Sequence, residues 1–192
     1  MARMRQARVI PPPDDAPPGH APLNEVERWL RARRTESGYG FDPTTGEKVW
    51  GRHTDGMEVP LTPDDRAQLR GMIFTHNHSR GWQFPEGDPR RKGTSFSPHD
   101  VQSAALAQVA ELRAMSPGYT FVMRPGAHGW PDVEEIGRTF EMAYRHHEAE
   151  SALAALSGKL DPVRRVADAF HNVWTELAPV LGIEYHREDA SQ

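Results

Sequence analysis

No cysteine occurs among the 192 residues. Disulfide staples, thiolate zinc sites and cysteine nucleophiles are thereby excluded. Long apolar runs are missing too: none approaches the ~18 consecutive residues that read as a membrane span. Nor is there an excess of positive charge. The formal net charge of -4 gives no overall attraction to nucleic acid, and the basic stretches at 1–8, 31–34 and 90–92 read as local solvated patches. A secretory leader is not expected, because Pro11-Pro12-Pro13 stand where an apolar segment would have to be. The chain is accordingly read as cytoplasmic. There is no internal repeat, and the length suits one ordinary domain with appendages.

The pattern along the chain predicts an α+β fold. Residues 1–22 are rich in proline and charge and poor in large apolar groups, which predicts a disordered tail. Asn24 is expected to cap a helix running to Arg34, with Val26, Trp29 and Leu30 on its apolar face. Residues 37–41 and 47–50 form a hairpin around Asp42-Pro43-Thr44-Thr45-Gly46. Thr62-Pro63-Asp64-Asp65 opens a short helix that ends near Gly71. Met72-Ile73-Phe74-Thr75 reads as a strand. The glycine-, proline- and charge-rich stretch 79–94, carrying Trp82 and Phe84, reads as a long loop, expected to be a lid or a binding loop. A helix follows from Ser97-Pro98 to about Ala110, then strands at 111–115 and 119–123.

Helices at 132–156 and 161–181, parted at Ser157-Gly158, are expected to pair as a hairpin. Phe140, Tyr144, Leu153 and Leu156 would face Val166, Phe170, Val173, Trp174 and Leu177, with oligomer formation through these faces as the alternative. Residues 183–187 offer a last strand. The domain reading is a tail at 1–22, a mixed sheet with flanking helices at 23–126, and a helical extension at 127–192.

Two short motifs carry the chemistry. In Thr75-His76-Asn77-His78 the histidines lie two apart at the end of a strand, so both rings point to one face. Ser97-Pro98-His99-Asp100 places a carboxylate in the first turn of the following helix. Two imidazoles and one carboxylate make a three-ligand set, and a catalytic zinc site keeps a fourth position for water. The plainer reading of Asp100 is a capping box, a form the chain repeats at Thr62-Pro63-Asp64-Asp65. Ten histidines are present, and most lie apart from the motif. His53 is an outer candidate, His99 is expected to be exposed, adjacent His146-His147 do not readily share one ion on a helix, and His171 and His186 lack a spaced partner.

The histidine segment together with Ser97-x-x-Asp100-Val101 resembles the JAMM (JAB/MPN-type) metalloprotease family, most closely its RadC-like branch, where H-N-H-P precedes S-x-x-D-[IV]. The likeness covers roughly residues 24–125. Ser79 departs from it by replacing the proline after the second histidine, and the loop to Ser97 is longer by several residues. The resemblance implies zinc on His76, His78 and Asp100, a glutamate general base, and Ser97 donating to the oxyanion. Glu36, Glu47 and Glu58 compete as the base, with Glu36 placed before the first hairpin as the family's glutamate is. The implied activity is peptide or isopeptide hydrolysis, with a peptide or a ubiquitin-like conjugate as partner. Two alternatives stay open: an inactive interaction module of the same fold, and a nucleic-acid-associated effector using Arg90-Arg91-Lys92, against which the acidic balance stands.

Overall fold

A two-residue strand, β1 (Val9–Ile10), opens the chain in the computed structural model, which describes residues 8–156 and 162–190. The disorder expected through residue 22 therefore does not extend over the whole stretch; residues 1–7 lie outside the described residues. The first helix, α1 (Leu23–Arg31), starts at Pro22 rather than at Asn24, which is already inside it. Proline at φ -70° supplies the extended entry without any side-chain cap. Val26 and Leu30 are fully buried on its inner face.

The hairpin forms as β2 (Ser37–Phe41) and β3 (Lys48–Thr54). Asp42 closes its turn by accepting from the N–H groups of Thr44 and Thr45 at 2.7 and 3.0 Å. β1 pairs with the far end of β3, Val9 opposite Thr54. Next come α2 (Pro63–Leu69), capped by Thr62, and β4 (Ile73–Asn77), which continues two residues beyond the expected strand. α3 (Pro98–Ala107) ends at Gln108, whose left-handed φ of 54° terminates it before Ala110. β5 (Glu111–Met115) and β6 (Tyr119–Arg124) follow. Then come α4 (Val133–Leu156), α5 (Pro162–Leu181) and β7 (Glu184–Asp189).

The strands build one mixed sheet in the order β1-β3-β2-β4-β5-β6-β7. Only β4 and β5 are parallel among the pairs in this sheet, and α3 supplies the crossover such a pair needs. α1 covers one face, its Val26 and Leu30 clustering with Tyr39, Phe41 and Met115 of the sheet. The other face carries the larger core, which includes Leu69, Phe74, Phe96, Leu112 and Phe121. Complete burial of a side chain such as Phe121, 1% exposed, contributes roughly 1.5–3 kcal/mol.

The boundary expected at residue 126 does not divide the core. Ile136, Phe140, Val173, Trp174 and Leu177 belong to the same cluster as Phe96 and Leu112, and β7 completes the sheet against β6 over six residue pairs. α4 and α5 do pair, with Phe140, Tyr144, Phe170 and Trp174 in ring contact. The break at Ser157-Gly158 lies outside the described residues, as do the side chains of Leu153, Leu156 and Val166.

Candidate metal centre

Alternation along β4 decides which groups meet. Phe74 and His76 face the larger core, Thr75 and Asn77 face α1, and His78 follows just past the strand end. Phe74 stacks on His76, centroids 5.3 Å apart and planes 12° apart, which fixes the His76 ring. β2 lies antiparallel to β4 with Gly38 opposite His76. Glu36 precedes β2 at the end of the sheet where His78 follows β4, and the two charges act on each other. Asn77 secures the arrangement from the reverse face. Its Oδ1 accepts from the Ser37 N–H at 2.8 Å, and its amide donates to the Thr35 carbonyl at 3.0 Å. The two residues flanking Glu36 are thus both tied to the residue between the histidines.

Asp100 arrives from the first turn of α3. His76 Nε2 and His78 Nε2 are 3.0 Å apart, His76 Nε2 is 3.7 Å from Asp100 Oδ1, and His78 Nε2 is 3.4 Å from Asp100 Oδ2. Ligands about 2.05 Å from a tetrahedral zinc stand about 3.3 Å from one another. The observed separations are close to that edge length, and His76, His78 and Asp100 can hold a metal ion. His78 Nδ1 donates to the Thr94 carbonyl at 2.9 Å, which leaves Nε2 as the coordinating nitrogen. His76 Nδ1 is buried with no hydrogen-bond partner. The Arg113 backbone still acts on that ring in favour of its protonated form.

The two capping boxes differ in a way that separates cap from ligand. At Asp65 both oxygens are committed to protein donors. Oδ1 accepts from Trp50 Nε1 and Arg52, and Oδ2 from the Thr62 N–H and hydroxyl. At Asp100 only Oδ2 accepts from the helix cap, from the Ser97 N–H at 2.7 Å and the Ser97 hydroxyl at 2.8 Å. Oδ1 is turned toward His76. The Ser97 proton is given to Asp100, so Ser97 is not disposed to donate to an oxyanion as the resemblance implied.

Charge within the cluster is strongly redistributed. Burial drives His76 down to about 4, with Asp100 opposing. Burial also pushes His78 down, but the hydrogen bond and charge of Asp100, with the Glu36 charge, prevail and lift it to about 9. Burial raises Asp100, yet His78 outweighs that and holds it well below the usual carboxylate range. Glu36, 7% exposed, is raised to about 7, foremost by burial. The His78 charge pulls it down, the Asp100 charge pushes it up, and the Ser79 backbone N–H favours its ionised form.

Of the three glutamates, Glu36 is the one embedded in the cluster. Glu58 is exposed, and its charge acts on Glu36. Glu47 is exposed beside the turn at the opposite end of the hairpin. His53 lies on the α1 face, bonded to Ser37 Oγ and near the Tyr39 hydroxyl. His99 is exposed, as expected.

The stretch 79–94 is not a free lid. It folds into 3-10 turns at Ser79–Gln83 and Pro89–Lys92. Trp82 Nε1 donates to the Arg31 carbonyl, Arg91 lies over the Trp82 ring and bonds the Phe84 carbonyl, and Arg90 covers Phe84. The basic triplet is thus engaged within the chain, Lys92 over Tyr119 included. Asn77 is the residue whose role was missed; an amide held between two histidines on a buried strand is the signal that could have found it.

The chain matches no family model, no curated protein and no solved structure, so the site is defined by its own geometry. Among the described residues, no helix is long and apolar enough to cross a membrane.

Proposed function

We propose that this chain is a zinc-dependent hydrolase of the JAMM type, acting on a peptide or isopeptide bond with Glu36 as general base. The supporting observation is the convergence of a buried carboxylate poised near neutrality with a His-His-Asp set of coordinating size. Structural carboxylates are ordinarily paired and held low; Glu36 is buried and raised beside that set. Such perturbation, joined to a ligand cluster, supports a functional site over a cap.

His76 Nε2, His78 Nε2 and Asp100 Oδ1 would hold the metal. Zinc there would supply Lewis acidity and lower the pKa of a coordinated water to about 7. The chain's own groups do the rest. The Thr94 carbonyl keeps the His78 proton on Nδ1. Ser97 fixes the Asp100 carboxylate. Glu36 accepts the proton of the attacking water and passes it to the leaving nitrogen, a transfer best served by a base with a pKa near the working pH. The substrate class, a peptide or a ubiquitin-like conjugate, follows from the resemblance in the two motifs. A second reading is a binding module of the same fold without catalysis, favoured by the commitment of the Ser97 hydroxyl to Asp100.

Metal analysis of the purified protein tests the first reading, alongside peptide and isopeptide cleavage assays. About one zinc per chain, lost in both His76→Ala and Asp100→Ala, is the expected result. Glu36→Gln should keep the zinc and lose turnover. Full zinc with no cleavage by the parent protein would leave the binding module standing; no zinc at all would remove both the ligand set and the hydrolase.

A further inference from the structure

We infer that Trp174 of α5 and Tyr185 of β7 are positioning residues, which hold the segment 94–97 and through it the placement of His78 and Asp100. This segment joins the second 3-10 turn to α3 without regular structure of its own, yet each of its four residues is pinned by a separate bond. The Thr94 carbonyl accepts from His78 Nδ1 at 2.9 Å. Ser95 Oγ, on a residue 2% exposed, meets the Tyr185 hydroxyl at 2.8 Å, and that hydroxyl also meets His171 Nδ1 at 2.8 Å. The Phe96 carbonyl accepts from Trp174 Nε1 at 2.7 Å. Ser97 bonds Asp100 through both its N–H and its hydroxyl.

Two of these four anchors face the coordinating set and two face the C-terminal elements. The Phe96 ring, fully buried, lies between them, 6.3 Å by centroid from His76, from His78 and from Tyr185. A carbonyl that orients a ligating imidazole governs its tautomer and its direction. Here that carbonyl has no sheet or helix to fix it, so its position depends on the neighbours on either side. A buried indole N–H with a single acceptor permits few alternatives, because leaving it unpaired costs about 1–3 kcal/mol. The elements after residue 126 therefore complete the site rather than merely extend the fold.

Conservative variants remove the anchoring bonds while keeping the rings: Trp174→Phe and Tyr185→Phe. Ile136→Val, fully buried in the same core and outside this set of bonds, serves as the control for lost stability alone. The first readout is zinc affinity by competition with a chelator, which rests on the zinc reading. Each anchoring variant should bind zinc about tenfold more weakly, the lower end for outer partners of a ligand, and Ile136→Val should not. The second readout, amide hydrogen exchange of the metal-free protein, does not depend on that reading. Exchange at Ser97 and Asp100 should quicken in both anchoring variants relative to the β5 amides, and stay at the parental ratio in the control.

Unchanged affinity with parental exchange at those two amides overturns the inference. So does an equal loss of affinity in Ile136→Val. If the parent binds no zinc, the ligand reading fails by itself, and the exchange pattern alone then upholds or refutes the anchoring.

Discussion

The Nε2 atoms of His76 and His78 face each other at 3.0 Å, a separation at which the pair can hold one proton between them but not two. His76 is the acceptor, being lowered to about 4 chiefly by burial. His78 keeps the proton: burial opposes it, but Asp100 and Glu36 prevail and raise it to about 9. The cluster is therefore an electrostatic preparation for positive charge.

Competition between that proton and the metal gives a pH dependence. Coordination needs neutral His78 Nε2, so binding must expel one proton below about pH 9. Apparent zinc affinity should rise about tenfold per pH unit between pH 7.5 and 8.5, where His76 is already neutral. Calorimetry in two buffers of different ionisation enthalpy should report about one proton released per zinc. Release of none would mean that His78 is neutral in the free protein.

Glu36 makes a prediction about stability that is independent of turnover. Its folded pKa, about 7, lies above the ordinary glutamate value of 4.5, so the folded state binds the proton more tightly than the unfolded state. Stability must then fall as pH rises from 4.5 to 7 and level off above that. The full cost is on the order of 3 kcal/mol. Glu36→Gln cannot ionise and should remove it. Urea unfolding of the metal-free protein should find the variant more stable than the parent at pH 8, by up to about 3 kcal/mol, and similar to it near pH 4.5. A variant no more stable at pH 8 would show that the carboxylate is solvated.

Close approach of β2 to β4 sets a third expectation. A Cβ added at Gly38 would stand 2.9 Å from Phe74 Cε2, and that ring stacks on His76. Gly38→Ala should lower stability by about 1–3 kcal/mol through overpacking. Zinc affinity should fall with it, since the displaced Phe74 ring supports His76. Denaturant melts and chelator competition on one preparation check both effects, and a neutral result in both would mean the stack has room to slide.

Much of this was legible in local chemistry. Both capping boxes form at Thr62 and Ser97 because threonine or serine, a following proline and an aspartate three residues on satisfy the first helical N–H groups locally. The hairpin formed because its turn is closed locally, by the side chains of Asp42 and Thr45. The reading failed where distant groups decide. Pro22 displaced Asn24 as the start of α1 because an extended proline needs no cap. β1 ordered because the edge of β3 was open to it. Trp82 and Phe84 were read as a lid because nothing local announces their contacts with Arg31, Arg91 and Arg90. The bond from Trp174 to Phe96 spans 78 residues and leaves no trace in any window of sequence. For the same reason the C-terminal helices read as an appendage although they share the core.

The repeated capping box permits a matched test of what makes Asp100 different. Asp65 satisfies Trp50, Arg52 and Thr62 together, and its side chain is 6% exposed. Asp65→Ala would leave a largely buried guanidinium without its partner, a loss of about 3–5 kcal/mol. Asp100 gives Oδ2 to its cap and to His78, and turns Oδ1 toward His76. Compared above about pH 9, where His78 is neutral with or without the carboxylate, Asp100→Ala should cost the helix about 1 kcal/mol, the usual worth of a cap. The same variant should lose zinc, whereas an Asp65 variant that still folds should retain it. Denaturant melts of the metal-free proteins, paired with metal analysis, separate the two aspartates. An Asp100→Ala protein as badly destabilised as Asp65→Ala, yet still holding zinc, would reduce Asp100 to a cap and leave the histidine pair without its third ligand.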